Sequence, residues 1–114
     1  MELSSSQSVI REISPKALSE MLHNGEQVEL IDVREPFERE ICTIGGSLIP
    51  LGSLAEEIDS IPRDRMVVIY CRSGGRSGQA VLALQKVFNF DNLYNLSGGI
   101  LAWAKEVDPA LPTY

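Results

Sequence analysis

The sequence is poor in the residues that build metal sites and disulfide scaffolds. Among its 114 residues there are two cysteines, Cys42 and Cys71, and a single histidine, His23. Two cysteines are too few for a disulfide framework, and the lack of a Cys-x-x-Cys pair argues against a zinc site of Cys and His. His23 falls at the end of a predicted surface helix, which disfavours a catalytic triad built on it. We therefore expect no metal site and no cofactor.

Long apolar runs and an excess of basic residues are also missing. No apolar run approaches the roughly 20 residues that cross a bilayer, and residues 1–6 lack the basic and then apolar pattern of a secretory signal. These absences predict a cytoplasmic protein. The net charge of −6 argues against a general nucleic-acid binder. Residues 1–64 carry −8 and residues 65–114 carry +2, which suits a local anion site on an acidic body.

The length and composition predict one compact domain. A chain of 114 residues with 44% hydrophobic residues can bury a core but leaves no room for a second domain. Residues 1–8 are polar and rich in serine, so they are predicted to form a disordered tail. Residues 9–114 are predicted to form the folded domain.

Strand-like and helix-like segments alternate along this domain. Ser14-Pro15 predicts the start of a first helix and Asn24-Gly25 its end. The run Met66-Val67-Val68-Ile69-Tyr70 is continuously apolar, which is typical of a strand buried on both faces of a parallel sheet. Further strands are predicted at 28–33, 48–50 and 93–96, with helices or helical turns at 36–40, 51–58 and 100–105, and a helix after Cys71 that buries Ser77, Ala80, Val81, Leu84, Val87 and Phe88. The alternation predicts an α/β fold with a central parallel sheet of about five strands and helices on both faces.

Cys71 directly follows the most buried strand, where parallel α/β folds place their ligands. It opens the segment Cys71-Arg72-Ser73-Gly74-Gly75-Arg76-Ser77. Backbone N–H groups at a helix start, a tight path through the two glycines, two arginine charges and two serine hydroxyls would all stabilise a thiolate. We therefore predict a reactive cysteine in an anion-binding loop.

Three other interpretations of this loop stay open. Cys71 could be an inert core thiol, although a core thiol needs neither the arginines nor the glycines that follow it. The loop could bind an anion or dock a partner without covalent chemistry. It could also belong to a cysteine-dependent phosphatase or arsenate reductase. Four residues separate Cys71 from Arg76, one fewer than phosphatases use, and no aspartic general acid is evident next to the loop.

These residues resemble the rhodanese family. Asp32-Val33-Arg34-Glu35 is similar to the family's Asp-Val-Arg motif, the stretch from Val67 to Ser77 to its strand, active loop and helix start, and Leu96 to Trp103 to its Gly-Gly and Trp element. The resemblance implies a sulfurtransferase in which Cys71 takes sulfane sulfur from thiosulfate or a protein persulfide and passes it to a thiophilic acceptor. Arg72 and Arg76 would then bind an anionic donor and stabilise departing sulfite.

One subgroup is more similar still. Residues 40–41, 100–103 and 107–114 resemble the C-terminal rhodanese domain of adenylyltransferase-sulfurtransferase proteins of molybdenum-cofactor and thiamine biosynthesis. This implies a ubiquitin-like sulfur-carrier protein, or an adenylating domain in the same chain, as partner. The sequence departs from many rhodaneses at Ile41-Cys42-Thr43, where they have a Gly-His pair. Cys42 is expected to be a small buried filler, with a resolving role for the persulfide as the alternative.

Other polar residues near these motifs are expected to be structural. Asp32 and Arg34 are predicted to form an ion pair that fixes one loop against another, with Arg34 adding to the positive field. Trp103 is predicted to lie in the core or in a pocket wall. The acidic residues Glu35, Glu38 and Glu40 are predicted to form a solvated face.

Overall fold

The part of the chain described by the structure, a computed structural model, is residues 9–114, and the tail predicted over residues 1–8 lies outside it. Within that part, five parallel strands form one sheet in the order β1-β5-β4-β2-β3. The strands are β1 (Glu12–Ile13), β2 (Val28–Asp32), β3 (Ser47–Leu48), β4 (Met66–Tyr70) and β5 (Leu93–Leu96). The predicted parallel α/β fold is confirmed.

Between residues 9 and 114, three α-helices and a 3-10 helix connect the strands, and a fourth α-helix follows the last strand. They are α1 (Pro15–His23), α2 (Pro36–Ile41), the 3-10 helix Leu51–Ser60, α3 (Gly75–Phe88) and α4 (Gly99–Glu106). The predicted start of α1 is confirmed, because the Ser14 side chain accepts from the Ala17 N–H at 3.1 Å and Pro15 occupies the first turn. None of the helices within residues 9–114 is long and apolar enough to cross a membrane.

The two faces of the sheet carry separate apolar clusters. Successive side chains of a strand point to opposite faces, so Val67 and Ile69 of β4 pack with Leu84 of α3 on one face. Val68 and Tyr70 pack with Ile100 of α4 on the other face. Both faces of β4 are therefore covered, which explains its uninterrupted apolar sequence.

Two details differ from the sequence-based prediction. The sequence does not predict the edge strand β1, because two residues are too few to show the alternation of a strand. Its pairing with β5, in which Ile13 is aligned with Leu96, defines it in the structure. Val87 was assigned wrongly to the buried face of α3. It is 67% exposed, and Gln85 is buried instead.

The strand register brings specific polar residues beside the end of β4. Asp32 is aligned with Tyr70 across the β2–β4 pair. On the other side, Asn95 of β5 is aligned with Ile69. Cys71 therefore leaves the sheet between an aspartate and an asparagine that are far apart in sequence.

Candidate active site

Cys71 lies at the carboxyl end of the central strand, where the sequence predicts a ligand site. Its residue surface is 1% exposed, and the thiol is free. Gly74 has a φ of 107°, a left-handed conformation that glycine adopts without strain, and it turns the loop immediately before α3. The turn brings the beginning of α3 back over the sulfur.

The Cys71 sulfur is surrounded by hydrogen-bond donors. The Gly74 N–H lies 3.1 Å from Sγ and the Ser77 N–H lies 3.4 Å from it. The Ser77 hydroxyl is 3.3 Å from the same sulfur. This is the cradle of backbone N–H groups at a helix start that the loop sequence predicts.

The hydrogen bonds change the acidity of the thiol. Burial alone raises the pKa of Cys71, because it disfavours the charged form. The Ser77 hydroxyl and the N–H groups of Ser77, Gly74 and Ser73 outweigh burial, so the pKa of Cys71 lies below its ordinary value. A lowered pKa enriches the thiolate, which is the nucleophilic form of cysteine.

Asn95 orients the Ser77 hydroxyl, and sequence reasoning missed it. Its side-chain oxygen lies 2.5 Å from Ser77 Oγ, while its Nδ2 donates to Glu12 at 3.1 Å and to the Gly74 carbonyl at 3.2 Å. Because a hydroxyl has one hydrogen, Ser77 donates to Asn95 or to Cys71 at any moment. Asn95 therefore competes with the sulfur for this hydrogen.

The first turn of α4 supports the active loop from outside. The N–H groups of Ile100 and Leu101 donate to the carbonyls of Cys71 and Arg72 at 2.9 and 3.1 Å. A Cβ on Gly99 would lie 2.4 Å from the Arg72 carbonyl oxygen, and Gly99 has a φ of 66°. The loop carbonyls are thus engaged by α4, which leaves the loop N–H groups facing the sulfur. The Gly98-Gly99 pair was the sequence signal for this contact.

Arg76 is engaged by Glu38. Its guanidinium donates to the two carboxylate oxygens at 2.7 and 2.9 Å. The prediction of a fully solvated acidic face was wrong for Glu38, which is 4% exposed, although Glu35 and Glu40 are exposed as expected. The hydrogen bonds from Arg76 hold the pKa of Glu38 at about 2, against the opposing effect of burial. Neither the length of α2 nor its composition reveals which of its glutamates faces Arg76.

Arg72 is engaged by Tyr114. Its Nε donates to the main-chain oxygen of Tyr114 at 2.6 Å, and its Nη2 contacts the same oxygen. The guanidinium also lies 5.0 Å from the centre of the Tyr114 ring. In the part of the chain that the structure describes, the Cys71 sulfur has close donors in Gly74 and Ser77, and neither Arg72 nor Arg76 donates a hydrogen bond to it.

Asp32 and Arg34 form a fully buried, two-pronged ion pair, with both N–O distances 2.9 Å. Arg34 also donates to the Cys42 carbonyl at 2.8 Å. Burial lowers the pKa of Arg34, but its hydrogen bonds to Asp32 and Tyr114 raise that pKa by more than burial lowers it. The guanidinium therefore stays charged. The predicted ion pair is present, and through the Cys42 carbonyl it joins the end of β2 to the segment after α2.

The remaining residues singled out from the sequence lie away from the sulfur's hydrogen bonds. Cys42 is buried in the same apolar cluster as Tyr70. Trp103 packs against that cluster from α4. His23 is exposed at the end of α1 and contacts the Ser19 carbonyl at 3.0 Å. The resolving role considered for Cys42 stays a prediction.

Comparison with known proteins assigns the family. A model described as "Rhodanese-like domain" matches residues 14–106. The chain belongs to this family. A rhodanese-related protein of Thermoplasma volcanium with a solved structure is 30% identical, with a TM-score of 0.72 over 85% of this rhodanese-like chain and 93% of that one.

Relatives of the rhodanese-like chain include sulfurtransferases. A protein of Allochromatium vinosum named "Sulfurtransferase" is 41% identical over 98 residues, which cover 85% of this chain and 91% of that protein. "Probable adenylyltransferase/sulfurtransferase MoeZ" of Mycobacterium tuberculosis is 41% identical over 105 residues, covering 90% of this chain. The matched region is 26% of MoeZ, so the chain spans about a quarter of that relative. The predicted resemblance to adenylyltransferase-sulfurtransferase proteins is confirmed, and sulfur transfer is the activity that the family membership supports.

Proposed function

We propose that this chain transfers sulfane sulfur through a persulfide on Cys71. The observation that carries the proposal is the Cys71 sulfur itself: it is buried at the end of the central strand, accepts hydrogen bonds from Gly74 and Ser77, and has a lowered pKa. The same donors that stabilise a thiolate would also stabilise the negative charge of a persulfide. The sulfurtransferases among the relatives support this reaction type.

The reaction has two balanced steps when thiosulfate is the donor. The Cys71 thiolate attacks the outer sulfur of thiosulfate, a new S–S bond forms, and the old S–S bond breaks with its electron pair leaving on sulfite. An acceptor nucleophile, such as cyanide, then attacks the outer sulfur of the persulfide. Thiocyanate forms, and the electron pair of the Cys71 S–S bond returns to Cys71 as thiolate.

The partner in the proposed function is a ubiquitin-like sulfur-carrier protein, which would accept the sulfur, or an adenylating domain in the same chain. The support for it is the match to MoeZ, whose name joins an adenylyltransferase with a sulfurtransferase. Thiosulfate and a protein persulfide are both proposed as donors, because each presents a sulfane sulfur to the same thiolate.

Intact-protein mass spectrometry after incubation with thiosulfate tests the persulfide. We expect the wild type to gain one sulfur atom, about 32 Da, and to lose it on addition of cyanide or a reducing thiol. Cys71→Ser should gain nothing. Cys42→Ser is the matched control and should gain the same mass as the wild type.

A mass gain in Cys71→Ser, or the absence of a mass gain in Cys42→Ser, would contradict the assignment of the persulfide to Cys71. A protein that is folded and has a free Cys71 thiol but gains no mass from thiosulfate or from a protein persulfide would overturn the sulfur-transfer proposal. That result would favour the non-catalytic module that binds an anion or docks a partner.

A further inference from the structure

The segment after α4, residues 107–114, returns to the active site and places Tyr114 there. Leu111 and Tyr114 pack against the apolar cluster that contains Tyr70 and Ile100, and Trp103 of α4 packs against the same cluster. The Leu111 N–H donates to the Asp108 carbonyl at 3.0 Å, which turns the segment back towards the sheet. Tyr114 is therefore held by packing, independently of its polar contacts.

Tyr114 contacts charged residues on three different parts of the site. Its hydroxyl accepts from Arg34 Nη1 at 2.9 Å and donates to Glu38 Oε1 at 2.8 Å. Its main-chain oxygen accepts from Arg72, whose guanidinium also lies over the ring. Glu38 in turn holds Arg76. Both arginines of the active loop are thus connected to one tyrosine.

An arginine side chain on an exposed loop has many rotamers, and its charge acts on a nearby reaction only where those rotamers place it. Arg72 is half-buried, and the contacts that select its position are the oxygen and ring of Tyr114. Arg76 is held by a carboxylate that accepts a hydrogen bond from the same tyrosine. The position of both loop charges therefore depends on Tyr114.

We propose that Tyr114 is a positioning residue that holds Arg72, and through Glu38 also Arg76, where their charges attract an anionic sulfur donor to Cys71. The inference rests on the proposed function for the identity of the substrate. The positive potential that it predicts at the Cys71 sulfur does not depend on that function. Tyr114 acts through the arginines and does not itself touch the sulfur.

Alkylation of Cys71 by a matched pair of reagents tests the proposal. Iodoacetate is an anion and iodoacetamide is its neutral analogue, so the ratio of their second-order rate constants reports the positive potential at the sulfur. Modification of Cys71 is followed by peptide mass mapping. Because alkylation needs no sulfur transfer, this ratio is measurable whether or not the persulfide forms, and the two proposals fail separately.

In Tyr114→Ala we expect the iodoacetate-to-iodoacetamide ratio to fall about fivefold, the effect of moving one charge away from a partly exposed site. The rate with iodoacetamide should stay within about twofold of the wild type, because the donors of Gly74 and Ser77 remain. Arg72→Ala should lower the ratio by a similar factor. The ratio in the double variant should be little lower than in either single variant, because one substitution removes the Arg72 charge and the other removes what positions that same charge.

Tyr114→Phe and Tyr94→Phe complete the set. Tyr114→Phe keeps the ring and the main-chain oxygen and loses the contacts to Arg34 and Glu38, so we expect a ratio lowered about twofold. Tyr94→Phe, at a tyrosine whose ring contacts Arg11, should leave the ratio unchanged. Tyr114→Phe conserves the packing, so it gives a result even if Tyr114→Ala fails to fold.

A purely structural role for Tyr114 would slow both reagents equally or lower the melting temperature while the ratio stays constant, and this outcome would overturn the proposal. It would also be overturned if the fold-decrease of the ratio in the double variant equalled the product of the fold-decreases in Tyr114→Ala and Arg72→Ala, because the two residues would then act independently. An unchanged ratio in both Tyr114→Phe and Arg72→Ala would show that the arginines are not positioned as proposed.

Discussion

The hydrogen bonds at Cys71 explain its acidity better than the neighbouring arginine charges do. The loop sequence suggests both causes, since Arg72 and Arg76 flank the two glycines. In the structure, Arg76 is paired with Glu38 and Arg72 is held by Tyr114, and neither guanidinium donates a hydrogen bond to the sulfur. The Ser77 hydroxyl and N–H and the Gly74 N–H instead lie within 3.4 Å of the sulfur. Thiolate stabilisation and anion attraction are thus divided between different residues.

Ser77→Ala removes the side-chain donor to Cys71. A hydrogen bond to a charged acceptor contributes about 1.5–3 kcal/mol, and Asn95 competes for the Ser77 hydrogen. We therefore expect the pKa of Cys71 to rise by about one pH unit. The measurement is the rate of the iodoacetamide reaction as a function of pH, and the inflection of this profile should move to higher pH.

Ser73→Ala is the matched control for this variant. Ser73 is exposed and lowers the pKa of Cys71 through its main-chain N–H, which alanine retains. Its inflection should coincide with that of the wild type. An equal inflection for Ser77→Ala and the wild type would mean that the hydroxyl donates to Asn95 only.

The beginning of α4 is a second support for the active loop, besides the beginning of α3. Helix N-termini carry N–H groups without partners inside the helix. In α3 such groups face the sulfur, and in α4 they bind the carbonyls of Cys71 and Arg72. This second contact requires glycine at position 99, because a Cβ there would overlap the carbonyl groups of the loop.

Gly99→Ala should damage both stability and the active loop. Its Cβ would meet the Arg72 and Cys71 carbonyls in a left-handed backbone conformation, for which we expect a loss of about 3 kcal/mol in the free energy of unfolding. Urea denaturation measures this loss, and the iodoacetamide rate at Cys71 should fall with it, because the displaced loop no longer aims its N–H groups at the sulfur.

Gly52→Ala is the control, since a Cβ at Gly52 in the 3-10 helix meets nothing within 4 Å. It should leave both the unfolding free energy and the alkylation rate close to the wild type. If Gly99→Ala behaved like Gly52→Ala, the contact between α4 and the loop would not be tight enough to matter.

Glu38 connects parts of the molecule that are distant in the chain. From α2 it binds Arg76 at the start of α3 and Tyr114 beyond α4. Its pKa in the folded protein is about 2, below the ordinary value of 4.5. Since the folded-state pKa is the lower one, the carboxylate stabilises the fold fully above about pH 4.5, and that stabilisation is lost as the pH falls towards 2.

The free energy of unfolding of the wild type should therefore fall more steeply between about pH 4.5 and 2 than that of Glu38→Gln, which has no proton to gain. Chemical denaturation at a series of pH values measures the two slopes. Glu40→Gln, at an exposed carboxylate on the same helix, should retain the wild-type slope. Parallel profiles for Glu38→Gln and the wild type would contradict the assigned ion pair.

Local sequence was sufficient to predict the parts of this protein that depend on neighbouring residues. The apolar run of β4, the capped start of α1 and the loop between Cys71 and Ser77 each lie within a short segment, and their geometry follows from backbone preferences and burial. Only the tertiary structure decided which residues complete the site. Asn95 is 18 residues from Ser77, Glu38 is 38 from Arg76, and Tyr114 is 80 from Arg34. These contacts depend on strand register and helix packing, which bring side chains together without leaving a pattern in either segment.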